Sequence, residues 1–410
     1  MATYHESREA DKERLRKNII SNNNVGKDAG HPSPVVFIVG LIVVIGLIFG
    51  VYWSRNMSLS TGYTVSWERS TEGDEQTVET FRDYVSFAGG IIKYTKDGAE
   101  FIDSKGNVVW ERSYQLNSPV IDTCDKYAVI GDRGGTDLYI FDNTTMTGSS
   151  HTLLPISMLR AADNGVVYAV LNDSVAEYIS AFKSDGSAID LSVKSVIGGD
   201  GYPFDIDVSP DGTELISSYL SIDNGRLVNN VVFRNFGSIG QNEDARRVVG
   251  GFSEEFAGHL AGFVNFSSNE FSQAFYDGGV VFFSTEVLNS PEILKTESFE
   301  DKIESVVCSD SIEAVITSSE SSDTADKLII YDLKGNKTGE AELDYKYRDI
   351  CVSNNTVMLL GDNEIRAYGK NGVLRGDFSF AEGEVTGIVG GGSDSSIYII
   401  TATNMYRVRF

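Results

Sequence analysis

Lys327 to Leu343 reads KLIIYDLKGNKTGEAEL: an alternating apolar run, a turn built on Asp, Lys, Gly and Asn, and a second, mixed run. Such alternation belongs to a strand with one buried face, and a short Asp/Gly/Asn cluster between two such runs belongs to a hairpin. The wording returns as AEFIDSKGNVVWERSY from Ala99, DLYIFDNTTMTGSSHTL from Asp137, EYISAFKSDGSAIDLSV from Glu177 and EIRAYGKNGVLRGDFSF from Glu364. Measured by the apolar strand before each turn, the copies fall near Phe101, Tyr139, Ile179, Val232, Phe282, Ile330 and Ile365, with a last one at Met405–Phe410. Intervals of roughly 35 to 55 residues are the period of propeller blades. No long 3.6-period apolar segment occurs in this region, which excludes helical repeats.

A second phrase precedes the first in several units. It reads PVIDTCDKYAVIGD from Pro119, PFDIDVSPDGTELIS from Pro203, IESVVCSDSIEAVIT from Ile303 and YRDICVSNNTVMLLGD from Tyr347. Each is a strand, a polar turn and a strand, so a full unit holds four strands, the content of one blade. The last unit stops one strand short, while GYTVSWERS (Gly62–Ser70) stands alone near the start. Pairing residues 62–70 with 405–410 completes that blade and removes two exposed edges. The expected fold is all-β: an eight-bladed β-propeller over residues 62–410. Seven blades is the alternative, because the units between Leu220 and Phe299 are irregular.

Composition supports many short strands joined by glycine turns: 41 Gly, 7 Pro, 22 Phe and 19 Tyr in 410 residues. The net charge of −25 excludes nucleic acid as a partner, since phosphate binding needs clustered Lys and Arg. One stretch departs from the soluble pattern. VVFIVGLIVVIGLIFGVYW, Val35 to Trp53, is uncharged throughout, and as a helix it would span roughly 28 Å, about one bilayer core. Tyr52 and Trp53 sit where interfacial aromatics belong, and no small-x-small cleavage site follows. Arg16, Lys17 and Lys27 precede the segment, so residues 1–34 are expected to be a disordered cytoplasmic tail, 35–53 an uncleaved membrane helix and 54–61 a linker. The propeller is then extracytoplasmic on a single-pass cell-membrane protein.

FIDSKGNVVW resembles the D-x-x-G-x-x-x-W wording of quinoprotein-like propellers, and VSPDGTELI resembles the turn of TolB-type and WD-type propellers. In layout the chain is similar to single-pass membrane proteins of Firmicutes that carry a short tail, one helix and an external propeller, grouped as a domain of unknown function. This resemblance implies an architecture and no activity.

The residues offer little for catalysis. Cys124, Cys308 and Cys351 fall at similar places in different units, too far apart for a disulfide, and are expected to be buried core thiols. His151 and His259 form no His-x-x-x-His or His-Glu-x-x-His pair, and no Gly-x-Ser-x-Gly turn is present. No cofactor is expected. Calcium is the alternative, through Asp205, Asp207 and Asp211 in DIDVSPDG. Quinone binding would need a stacked tryptophan, and Trp110 is expected to pack between blades instead. The most informative irregularity is the insertion SIGQNEDARRVVGGFSEEFAGHLAG, Ser238 to Gly262. Its Arg246, Arg247, Phe252 and Phe256 are expected to bind a partner, because arginine and aromatics on scaffold loops are the usual anchors. The expected function is that of a non-catalytic scaffold for a protein or cell-wall component. The alternative is a ligand-binding or enzymatic propeller using its central funnel.

Overall fold

A computed structural model describes residues 40–46, 59–71, 82–241, 246–318 and 326–410. The chain divides into two compact units, Met1–Ser58 and Leu59–Phe410. Of the first, residues 40–46 are helical. They lie inside the apolar run Val35–Trp53, and the rest of that run, the tail 1–34 and most of the linker fall outside the described residues. Among the described residues no helix is long and apolar enough to cross a membrane.

The second unit forms eight four-stranded antiparallel sheets. Blade 1 runs from Arg82 to Ser113, blade 2 from Pro119 to His151, blade 3 from Ile156 to Val196 and blade 4 from Tyr202 to Phe252. Blade 5 runs from Ala261 to Ser298, blade 6 from Lys302 to Leu343 and blade 7 from Asp349 to Ser379. Blade 8 takes three strands from Val385–Arg409 and its fourth, outermost strand from Thr64–Ser70. That strand runs antiparallel to Asn404–Arg409, with Thr64 opposite Arg409 and Ser70 opposite Asn404. The chain just before it is stapled to blade 7 by Ser60, which donates to Arg375 O at 2.7 Å and accepts from Asp377 N at 2.9 Å. Tyr63 packs there on Phe378 and Phe380.

First strands of successive blades touch one another around the ring. Middle strands are covered on both faces by the neighbouring sheets, which is why VYAVLN (Val167–Asn172), TVMLL (Thr356–Leu360) and SIYIIT (Ser396–Thr401) are buried almost end to end. Outermost strands are wetter, and some alternate strictly, as in EILKTES, Glu292–Ser298.

The recurring turn phrase does two things at once. In blade 1, Gly106 N–H donates to Asp103 O at 3.0 Å, and the Asp103 carboxylate accepts from the amides of Lys105 and Asn107. Gly106 sits at φ 88°, a backbone state open to glycine and costly for other residues. The turn also docks on the preceding blade: a Cβ at Gly106 would lie 3.1 Å from the Trp67 ring, and one at Gly186 would strike the Ser149 backbone. Trp67 donates to Ser104 O at 3.2 Å and Trp110 to Asp142 O at 3.0 Å, each across a blade boundary. The phrase therefore recurs because it closes a turn and seats that turn on the preceding blade.

Candidate interaction surface

The four residues expected to bind a partner do not form a surface. Phe256 is fully buried, edge-on to Tyr276 at 5.7 Å. Phe252 is half-buried against Phe233 and Phe283, at 5.8 and 4.9 Å. Both belong to the core between blades 4 and 5. The link that carries Phe256 returns the chain from the outer strand of one blade to the inner strand of the next. It must cross the gap between two sheets, and its apolar side chains fill that gap. Arg247 has φ 57° and donates to Phe236 O at 3.1 Å. Arg246 is exposed and ion-paired with Asp200. The expectation of an aromatic–arginine patch is thus corrected: its aromatics are interior, and Arg246 is the member that meets solvent. The regular elements among the described residues of the insertion include a single helical turn, Ser238–Gln241, and the short outer strand Val248–Phe252.

The irregularity that does reach outward is the neighbouring hairpin. The second and third strands of blade 4, Glu214–Asp223 and Arg226–Asn235, have ten residues each. They meet at Asn224–Gly225 with φ 49° and 75°, the two positive angles of a type I′ turn. The outer strand pairs only with Val231–Arg234, so among the described residues Arg226–Asn230 has no strand on its far side. Asp223 faces Arg226 across the two-residue loop and forms a hydrogen-bonded pair. By alternation the main-chain groups of Leu227 and Asn229 point to that edge; Leu227 is exposed there, whereas Asn229 is buried. At the tip Ile222 lies opposite Leu227, and the two side chains are 77% and 49% exposed. The base of this arm is fixed. The buried Asn229 side chain donates to Ser218 Oγ and Tyr219 O and accepts from Ala261 N of blade 5.

At the mouth of the channel the inner strands of blades 4 and 5 expose Tyr202, Phe204 and Phe263. Tyr202 is in register with Leu220 at the root of the arm, so mouth and arm adjoin. A cavity of about 540 Å³ opens there, lined by Met158, Arg160, Asn172, Tyr202, Phe204 and Asp205 among others.

Deeper in, acidic side chains of one inner strand hold the backbone of the next. Asp122 accepts from Ala161 N, Asp205 from Val264 N, Asp207 from Phe266 N and Asp349 from Ile388 N, all between 2.6 and 2.9 Å. Arg160 sits among them, 2.8 Å from Asp205 and 3.3 Å from Asp207. Burial raises all three neighbouring carboxyls, Asp207 to about 7, while the Arg160 charge pulls them back down. The three aspartates named for calcium do not converge. Two are engaged by Arg160 and backbone amides, and Asp211 closes its own turn by accepting from Ser209 Oγ, Thr213 N and Thr213 Oγ1. Among the described residues no His/Cys/Asp/Glu group is arranged for a metal.

Two more carboxylates sit in the walls. Glu313 is wholly buried, accepts from Ser267 Oγ, and leaves Oε2 without a partner. Burial pushes it up to about 8, and does the same to Glu214, to about 7. The three cysteines are free and half-buried rather than fully enclosed, each on an inner strand. His151 and His259 are exposed beside Asp137 and Asp277. Trp110 stacks on Phe141 of blade 2 at 4.5 Å. None of Asp122, Arg160, Glu313 or Arg234 stood out in the sequence, though each interrupts an apolar strand.

The fold is a closed eight-bladed β-propeller, a rigid ring that exposes loops and strand edges. A model for a family of unknown function, DUF5711, matches residues 56–410, and the chain belongs to that family. Among solved structures it is similar to BamB from Moraxella catarrhalis, at 12% identity and a TM-score of 0.51, covering 85% of this chain and 100% of that one. It is also similar to Sqt1 from Chaetomium thermophilum, at 13% identity and a TM-score of 0.49, covering 78% of this chain and 92% of that one. At such identities the likeness shows the fold alone. A search of curated protein sequences found no match.

Proposed function

We propose that the protein is a non-catalytic binding scaffold, tethered by Val35–Trp53 with residues 1–34 in the cytoplasm and the propeller outside the membrane. The uncharged 19-residue run and the Lys/Arg bias before it support the tether. The blade 4 arm carries the interaction reading. A strand edge open at its tip, with two exposed aliphatic side chains there, is a template for an extended segment of a partner protein, which adds as a further strand beside Arg226–Val228. The channel carboxylates support the absence of catalysis, because they are consumed in holding one blade to the next.

A photo-crosslinker at Ile222, used in native cells, tests the arm. Leu227→Pro removes one outward N–H and leaves the pairing with the second strand intact, so it should abolish the crosslinked partner without changing the thermal midpoint. An unchanged crosslinking pattern refutes strand addition. For the tether, a tag after Phe410 should be reached by antibody on intact, wall-stripped cells and a tag before Met1 only after permeabilisation; the opposite pattern refutes the orientation.

A further inference from the structure

Between the link from blade 3 to blade 4 and the outer strands of blade 4 lies a cavity of about 320 Å³, lined by Asp200, Tyr219, Asn230, Arg234, Arg246 and Phe252 among others. We propose that this cavity is a carboxylate-recognition site in which Arg234 and Arg246 grip the ligand. It is separate from the strand edge of the arm.

Arg234 is the observation that points to a ligand. It is only 4% exposed, and its guanidinium lies over the Tyr219 ring, 5.1 Å from the centroid. Nη1 donates to Ser217 Oγ at 2.9 Å, and Nε has no partner. No carboxylate among the described residues lies within ion-pair distance of it. Arg375 and Arg407 also leave Nε without a partner, but Arg407 spends both terminal nitrogens on Ser104 O and Gly391 O, and other bracing arginines are likewise engaged. Arg160 spends its nitrogens on Leu159 O, Asp205 and Asp207, and Arg348 spends its own on Gly361 O, Asp362 O and Val385 O. A buried guanidinium keeps its charge and its five donors, so one hydrogen bond and a ring face leave Arg234 unsatisfied.

The chemistry of the walls selects the ligand. Arg246 faces the same space, and among the described residues the lining holds two arginines and one aspartate, Asp200, which is ion-paired with Arg246 and near enough to Arg234 to feel its charge. Asp200 already shows what Arg246 takes: a carboxylate. Planar forks of this kind receive the two oxygens of a carboxylate side by side. Phe252 adds an apolar wall, and the volume suits one acidic residue with a few waters, each of which takes about 30 Å³ of liquid. The ligand class is therefore a peptide carboxylate, either a glutamate-type side chain or a free C-terminus.

Acetyl-glutamate amide carries only the first source and acetyl-alanine only the second, while acetyl-glutamine amide and inorganic phosphate are the controls. Each is added to the full-length protein in detergent, and thermal midpoint and Kd are read. At least one carboxylate should raise the midpoint by mass action, and the one that does identifies the source. Arg246→Gln, at an exposed position, should weaken that binding roughly tenfold with the ligand-free midpoint unchanged. Arg234→Met, which keeps the stem over Tyr219 and removes the unpaired charge, should abolish the response with a ligand-free midpoint at or above that of the parent. Should the methionine variant not fold, Arg234→Lys, which keeps the charge and loses the fork, should still weaken binding tenfold or more. No response to either carboxylate, equal responses to acetyl-glutamine amide, a response to phosphate alone, or responses that survive these substitutions would overturn the proposal.

Discussion

Replacing Glu313 by glutamine should lessen the stability that the protein loses between pH 7 and 8. Glu313 opens the second strand of blade 6, wholly buried, with Oε1 on Ser267 and Oε2 unpartnered. Burial raises its pKa from 4.5 to about 8. A carboxyl raised on folding favours the folded state while it is protonated, and that contribution disappears as the pH climbs through the folded value. Between roughly 4.5 and 8 the folded chain holds this proton and the unfolded chain has released it, so each pH unit costs about 1.4 kcal/mol. Asp207, Glu214 and Glu177 act in the same sense but reach only about 7, so between pH 7 and 8 each adds about a third of the loss that Glu313 does. The lowered carboxyls, Asp103, Asp142 and Asp200 among them, lose their contribution only as the pH falls below the ordinary carboxylate range. Urea midpoints at pH 6, 7 and 8 for parent and E313Q, with equal m-values, read the effect. The parent should lose about 1 kcal/mol more than the variant from pH 7 to 8. Parallel slopes over that unit, or a parent that gains stability with rising pH, would refute the reasoning.

Trp110→Ala removes the stack on Phe141 and the hydrogen bond to Asp142 O, and should cost about 3 to 5 kcal/mol in a denaturation curve. Gly106→Ala places a side chain at φ 88° and 3.1 Å from the Trp67 ring, so destabilisation of at least about 1 kcal/mol is expected at the boundary between blades 8 and 1. Burial raises the thiols of Cys124, Cys308 and Cys351, the first to about 12. A chromogenic disulfide reagent at pH 8 should therefore react slowly with the native protein, and with three thiols in denaturant.

The blades were legible because their grammar is forced. An Asp that caps its own turn, a glycine at positive φ and an apolar middle strand leave marks at fixed offsets, and eight such units are what the ring contains. The arm was legible only as an irregularity: the longer run SYLSIDNGRLVNN shows extra residues but not that the outer strand stops at Val231. Phe252 and Phe256 were misread because a loop that crosses between two sheets looks, letter by letter, like one that faces water. Arg160 and Arg234 were missed for a related reason. Period-two reading assigns the arginine of VVFRNFG to a solvent face, but the middle strands of a propeller have none.

Burial on both faces also explains which polar groups deserve a functional reading. Every polar side chain buried within or between the blades must find a partner there or remain unpaired. Asp122, Asp205 and Asp349 find one in a backbone amide, and their charges become part of the ring's cohesion. Glu313 does not find enough, and it can relieve the deficit by keeping its proton. Arg234 has no such exit, because a guanidinium does not shed its proton near neutrality. Asp200 is near enough to feel its charge but not to pair with it, and an anion brought from outside would complete the set, which is why this buried side chain, rather than the more conspicuous aromatic insertion beside it, marks the proposed ligand site.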